Sequence, residues 1–380
     1  MRCIAIDVGF GTQDILLYDD RREIAQSFKM VLPSQTTITA ARIRRATDLR
    51  RSIFLEGVTM GGGPCVRAIK DHLREGLSVY STETAAKTIY DDLDRVRGLG
   101  VEIVPYEAEH GTFGYSAGHN VGHDAGSDEG SCAVSDAIRI ETRDIDPSAI
   151  AGMLESFGIA MPQVFAVAVQ DHGESTGSNR IFRFEHIRKM IQKGGDLRLF
   201  AYTRKTIPEY LTRMHAVSET LADYDLVMMD TGPAAVFGAV ADKREEPAIV
   251  LNIGNGHTLC AILIESRITG VFEHHTRQMN PETLDTYIEK LADGTLTFEE
   301  IFESGGHGCY IKEVPDKMPQ IIVTGPNRHI AERSRHDTTF AAPYGDMMLT
   351  GCFGLVRGML ATDGDRMSDG DGTTEGDTRG

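Results

Sequence analysis

Residues 2–18 read Arg2-Cys3-Ile4-Ala5-Ile6-Asp7-Val8-Gly9-Phe10-Gly11-Thr12-Gln13-Asp14-Ile15-Leu16-Leu17-Tyr18. Two apolar runs flank a turn with two glycines and an acid at its entrance, the pattern of a buried β-hairpin. Gly9 and Gly11 let the backbone turn sharply and approach a ligand closely. N–H groups converging in such a turn form a nest for an anion, and Thr12 adds a hydroxyl donor. Asp7, at the strand end, is placed to hold Mg²⁺ directly or through water, because that ion takes one or two carboxylates along with phosphate oxygens. A hairpin whose Asp and glycines serve only the turn accounts for the same residues.

Two later stretches tip the balance. Residues 248–264 repeat strand, Gly254-Asn255-Gly256 turn and strand, with Thr258 just beyond. They read as a second phosphate hairpin. Residues 320–327 form a strand ending in Thr324-Gly325-Pro326, where the bare α-carbon of Gly325 would let a flat base lie on the backbone. Two such hairpins, then a strand-glycine turn and a small-residue terminal helix, resemble the actin, Hsp70 and sugar-kinase ATPase superfamily. The resemblance implies an α/β, two-lobed, actin-like (ribonuclease H-like) fold. It also implies that ATP and Mg²⁺ bind between the lobes, with Gly9, Gly11, Thr12, Gln13, Gly254, Asn255, Gly256 and Thr258 around the phosphates, Gly325 and Pro326 at the nucleoside, and Asp7 at the metal.

At 380 residues the chain exceeds one usual core, so two lobes are expected. The divisions expected are a first lobe over 1–222, with an α/β insertion over about 52–135, a second lobe over 223–360, and a disordered acidic tail over 361–380. Composition is 41% apolar and 25% charged, that of a globular chain. The net charge of −17, from 56 acidic against 39 basic residues, argues against nucleic acid or anionic lipid as main partner. No run of about 18 apolar residues occurs, so neither a membrane span nor a signal peptide is expected, and a cytoplasmic location follows. Cysteines 3, 65, 132, 260, 309 and 352 never fall within four positions of one another, which excludes a Cys-x-x-Cys pair.

Between the hairpins, Thr59-Met60-Gly61-Gly62-Gly63-Pro64 joins a strand to a helix and offers a second anion-binding turn. Glu83–Arg97 reads as one helix in a parallel α/β layer. The Gly-rich stretch 110–130 carries His119, His123 and Asp124, ligand types for a metal, although its glycine density favours a loop that closes over a site. Val164–Val169 is continuous and apolar, a central strand ending in Gln170-Asp171-His172-Gly173-Glu174. Open α/β sheets keep their ligands at such strand ends. The stretch resembles the Gly-Gln-Met-His-Gly of carbohydrate kinases, with Asp171 in the place of Met. Asp171 is the candidate general base, with His172 as its partner. Asp230-Thr231-Gly232-Pro233 opens a helix of small residues, where Asp230 serves as cap and as a second candidate for positioning metal or water. Gly351, Gly354 and Gly358 make a bare stripe on the terminal helix, which predicts a neighbour at very close approach.

Over its length to about residue 360 the chain also resembles a prokaryotic family often labelled "pyruvate formate-lyase activating enzyme-like". The stretches that carry this are Ile6–Asp14, Gln170–Gly173 and Gly345–Gly351. A radical activase needs a Cys-x-x-x-Cys-x-x-Cys set for an iron–sulfur cluster, and these cysteines cannot supply it. Many superfamily members open the second hairpin with an aspartate where this chain has Asn252; acetate kinases also show a Gly-Asn-Gly turn there without it. The leading expectation is an ATP- and Mg²⁺-dependent phosphotransferase or ATPase acting on a small acceptor. The rival is a nucleotide-gated regulator or ATP-driven activator of a protein partner, with little turnover. A third reading, a substrate-binding module without nucleotide, would leave both hairpins unused.

Overall fold

The computed structural model describes residues 1–104, 136–174, 178–242 and 246–369. β1 (Arg2–Val8), β2 (Thr12–Asp19) and β3 (Phe28–Pro33) make an antiparallel meander. The chain then builds a separate parallel sheet from β4 (Ile53–Gly57), β5 (Val79–Ser81), β6 (Val101–Ile103) and β7 (Ile138–Thr142), in the order β6-β5-β4-β7. It returns through β8 (Val164–Val169), β9 (Ala201–Thr203) and β10 (Asp225–Met229), which complete a first sheet ordered β3-β2-β1-β8-β10-β9. β11 (Ala248–Ile253), β12 (His257–Ile264), β13 (Arg267–His275), β14 (Gly308–Ile311), β15 (Gln320–Thr324) and β16 (Thr338–Phe340) form the second sheet, ordered β14-β13-β12-β11-β15-β16.

The two six-stranded sheets follow one plan. Each opens with a three-strand meander, and a later strand then pairs parallel to its first: β8 on β1, β15 on β11. This duplicated α/β plan, with a smaller sheet inserted after the first meander, is the two-lobed actin-like ATPase fold. Among the described residues no helix is long and apolar enough to cross a membrane.

Several sequence-based boundaries shift. β7 pairs with β4, so the inserted sheet reaches beyond residue 135. β10, assigned on sequence to the second lobe, pairs with β8 and belongs to the first sheet. Both are short strands, and which sheet such a strand joins is decided by register with distant strands rather than by its own residues. The expected helix over 83–97 is two short ones, Glu83–Ala86 and Leu93–Gly98; the Asp92 side chain accepts from the N–H groups of Asp94 and Arg95 and starts the second. The terminal helix spans Thr350–Asp369, running into the segment read as an unstructured tail. The remainder of that tail, and the His119/His123 stretch, lie outside the described residues.

Two helices are held between the sheets. Thr231–Ala239 is apolar on all sides and buried throughout from Gly232, as expected of a helix with no solvent face. The terminal helix crosses it so closely that a Cβ on Gly354 would fall on the carbonyl of Ala234, and one on Gly238 on the carbonyl of Thr350. The other two stripe positions are also occupied from outside: Gly351 lies against the Asp7 carboxylate and Gly358 against Met229. The stripe is thus a backbone-to-backbone crossing that fixes the terminal helix beside β1. Gly354→Val should lower stability by about 1–3 kcal/mol through overpacking. Gly152→Ala, in the helix Pro147–Ser156 with nothing within 4 Å of the added methyl, should be neutral or stabilising by up to about 1 kcal/mol. Urea-unfolding midpoints of the two variants check both.

Candidate active site in the interlobe cleft

The turn between β1 and β2 closes with Gly9 N–H donating to Thr12 O at 2.8 Å, and the turn between β11 and β12 with Gly254 N–H donating to His257 O at 2.9 Å. The turns are built alike, and Asp7 and Asn252 occupy the same place two residues before the glycine. Their tips meet: Phe10 lies against Gly256, and the Asn255 side chain lies beside Gly11. Asn327 steadies the second turn, its Nδ2 donating to Gly254 O at 3.0 Å. Between the lobes is a cavity of about 1070 Å³, large for a small-molecule site.

Asp7, Gly9 and Thr12 line this cavity from the first lobe, and Gly254, Asn255 and Gly256 from the second. Gly325 and Pro326 close one side, and Asp171 and the Gly61-Gly62-Gly63 turn another. Gly11, Gln13, Thr258 and Asp230 are not among the lining residues. For Gln13 and Thr258 the reason is strand alternation, since neighbouring side chains point to opposite faces. Gln13 Nε2 donates to Pro33 O at 3.1 Å, and Thr258 Oγ1 is buried 3.1 Å from Thr276 Oγ1. The residue matching Thr12 in the second hairpin is His257, and it faces the cavity. Gly325 needs its bare α-carbon for a reason other than a base: its φ is +96°, and a Cβ would fall on Asn252 and Ile253 at the end of β11.

Asp7 and Asp14 are direct cross-strand partners, so their carboxylates share one face of the hairpin. Like charges so placed repel. Removal from water, then the neighbouring charges of Asp14 and Asp230, push the Asp7 carboxyl well above the usual carboxylate range. Burial raises Asp14 to about 7, partly offset by a hydrogen bond from Thr12 and reinforced by Asp346. Asp7 Oδ1 and Asp14 Oδ1 are both buried with no hydrogen-bond partner among the described residues. Two buried carboxylate oxygens without hydrogen-bond partners, on residues that line the cavity together with Gly9, fit a hard cation such as Mg²⁺, which would take those oxygens.

The acids farther along the cleft are already engaged. Arg183, on the helix Asn179–Gln192, is buried and ion-pairs on both sides. It holds Asp230 in a two-pronged pair (Nη2 to Oδ1, 2.8 Å; Nη1 to Oδ2) and Glu273 of β13 in another (Nε to Oε2, 2.9 Å; Nη2 to Oε1, 3.0 Å). Asp230 also caps the helix Thr231–Ala239 through Gly232 N–H at 3.0 Å. Asp230, offered on sequence for metal or water, is thus neutralised by Arg183. Asp171, offered as general base, is buried with Oδ1 accepting from Gly173 N–H and Oδ2 from Met214 N–H, both at 2.8 Å. Burial raises its pKa, and those two bonds pull the other way. So engaged, Asp171 fixes the turn that presents His172. Arg213 does the same for the third glycine turn: Nε and Nη2 hold Asp144 at 2.7 and 2.8 Å, Nη1 reaches Gln170 O at 2.7 Å, and Asp144 accepts from Gly61 N–H.

Histidines gather where the two lobes meet. His172 follows β8, His257 opens β12 and His307 precedes β14, with His275 at the end of β13 packed on the latter two. Burial holds His257 down to about 3 and His275 to about 4, and takes His172 well below its ordinary value, so these rings are neutral in neutral solution. The cavity is also lined by Lys87, paired with Glu174 at 2.9 Å, and by Asn179, which donates to Asp91 at 2.7 Å. Sequence reading missed the histidine group and Arg183. His172 and His257 stand beside turns already singled out, but their proximity to His307 is set by the pairing of the lobes, and Arg183 lies on a helix with no sequence mark of its partners.

The family described as "Putative pyruvate format-lyase activating enzyme (DUF1786)" matches residues 60–330. The cysteines argue on chemistry against that activity, since Cys3, Cys65, Cys260, Cys309 and Cys352 are all buried, and burial raises the Cys65 and Cys309 thiols to about 12. No curated protein matches the sequence. Among solved structures, an exopolyphosphatase from Cytophaga hutchinsonii is 10% identical with a TM-score of 0.29, over 85% of this chain and 66% of that one, so this chain spans just under two thirds of its length. An activator of 2-hydroxyisocaproyl-CoA dehydratase from Clostridium difficile, with bound ADPNP, is 8% identical with a TM-score of 0.31, over 99% and 100%. An archaeal actin homologue is 11% identical with a TM-score of 0.33, over 95% and 100%.

Two outcomes follow from the buried charges. Arg183→Met leaves Asp230 and Glu273 buried without their cation and should cost about 3–5 kcal/mol, read from the urea midpoint. Between about pH 4 and 7 the folded chain holds a proton on Asp14 that the unfolded chain has released. Stability therefore falls as pH rises through that window and levels off above it. In Asp14→Asn the fall in melting temperature from pH 5 to pH 8 should shrink by roughly 2–5 °C, measured by circular dichroism.

Proposed function

The chain belongs to the family whose profile covers residues 60–330, and we propose that it is an ATP- and Mg²⁺-dependent phosphotransferase or ATPase acting in the interlobe cleft. The observation that carries this is the pair of like-built glycine hairpins meeting tip to tip over one cavity, with unpartnered oxygens of Asp7 and Asp14 below the first. Gly9, Thr12, Gly254, Asn255 and Gly256 would surround the phosphates, and Gly325 with Pro326 would border the nucleoside. Mg²⁺ held at Asp7 and Asp14 would supply charge neutralisation at the phosphate oxygens. The chain's own part is positioning and water exclusion: Arg183 keeps the lobes in register, Asp171 sets the His172 turn, and the terminal helix fixes β1. A small acceptor would enter from the end bordered by Lys87, Asp91 and Glu174.

A second reading keeps the nucleotide and drops the turnover. Asn252 stands where the second hairpin would carry its own acid, and Asp171 and Asp230 are both engaged, which favours a nucleotide-gated regulator of a protein partner. Calorimetric titration of ATP with Mg²⁺, followed by phosphate-release assays, separates the two. The phosphotransferase reading expects micromolar, metal-dependent binding, weakened at least about 10-fold in Asp7→Asn, with turnover lowered by about 100-fold. Binding without turnover in the presence of candidate acceptors would favour the regulator. Absence of any binding heat would remove both.

A further inference from the structure

We infer that His172, His257 and His307 form a binding site for one divalent transition-metal ion, distinct from the Asp7/Asp14 position. One ring nitrogen from each lies within 4.8 Å of the others. Three nitrogens around a single tetrahedral zinc stand roughly 3.3 Å apart, so side-chain rotations of about an ångström close the set. The residues come from three separate elements that the rest of the fold holds firmly. His172 sits on the turn that Asp171 ties to Gly173 and Met214, His257 on the first residue of β12, and His307 on the residue leading into β14.

Two further observations point to an ion rather than to stacked rings. His257 Nε2 is buried and has no hydrogen-bond partner among the described residues, the condition of a donor atom awaiting a ligand. His307 Nδ1 is 2.9 Å from Glu273 Oε2, an ion-pair distance without hydrogen-bond geometry. A carboxylate beside the imidazole is the usual outer partner of a metal-bound histidine. Glu273 is in turn oriented by Arg183 and by Gln170 Nε2 at 3.3 Å. Three imidazoles with no carboxylate among the ligands suit zinc, iron, cobalt or nickel rather than magnesium. All three line the cavity, so a fourth coordination position would open toward the second glycine hairpin, where water or an oxyanion can take it.

The proposal adds a second metal to the cleft and does not rest on nucleotide binding, so its test contains no nucleotide. Chelator-treated full-length protein is titrated with Co²⁺ while the visible d–d absorption is recorded, for wild type, His257→Ala and His172→Ala with matched circular dichroism. The expected result is tetrahedral-type bands saturating at one equivalent in wild type, with affinity lowered at least about 100-fold in each variant. An absence of bands in wild type would overturn the assignment. So would bands of unchanged affinity in either variant, the result expected if Co²⁺ were held by His119 and His123 instead.

Discussion

Arg183 is the cation on which the two lobes agree. Its guanidinium is buried and pairs with Asp230, just past the end of β10 in the first sheet, and with Glu273 on β13 in the second. Taking three charges out of water costs several kcal/mol each unless geometry compensates, and here every guanidinium nitrogen donates to a carboxylate oxygen. The arrangement adds specificity more than net stability: sliding one sheet against the other would strand at least one charge. Much else hangs from it. Nη1 also reaches Asp171 O at 3.0 Å, so the His172 turn is referenced to the same point as both sheets.

Around that point the chain uses bare backbone to bring things close. The terminal helix and the helix Thr231–Ala239 cross at Gly238 and Gly354, and the same stripe sets Gly351 on the Asp7 carboxylate. The acid at the first hairpin is therefore walled in by a helix whose position is decided far from it. That enclosure is what raises its pKa, and it makes the pair with Asp14 hungry for a cation.

The repeated hairpins were legible in the sequence because a glycine turn between two apolar runs is a local pattern. Asp7, Gly9, Thr12 and Gly254–Gly256 were found that way, and the structure puts them on one cavity. What could not be read was anything decided by pairing between distant elements. Thr258 was expected beside the phosphates, yet the parity of β12 turns it inward and gives its place to His257. Gly325 was explained by a ligand when the end of β11 already demands it. β10 was given to the wrong sheet, and Arg183 went unnoticed, because neither carries a mark of its partner. The engagement of Asp171 by two backbone N–H groups is likewise a tertiary fact, since Met214 lies 43 residues away.

The likeness of the two hairpins makes their one difference consequential. Asp7 faces Asp14 across β1 and β2, whereas the matching positions across β11 and β12 are Asn252 and Leu259. At these matched positions one hairpin carries two acids and its counterpart carries none. A scaffold built from two like hairpins thus presents two unlike walls. Any elongated ion lying between the tips, even one chemically identical at both ends, has a head and a tail.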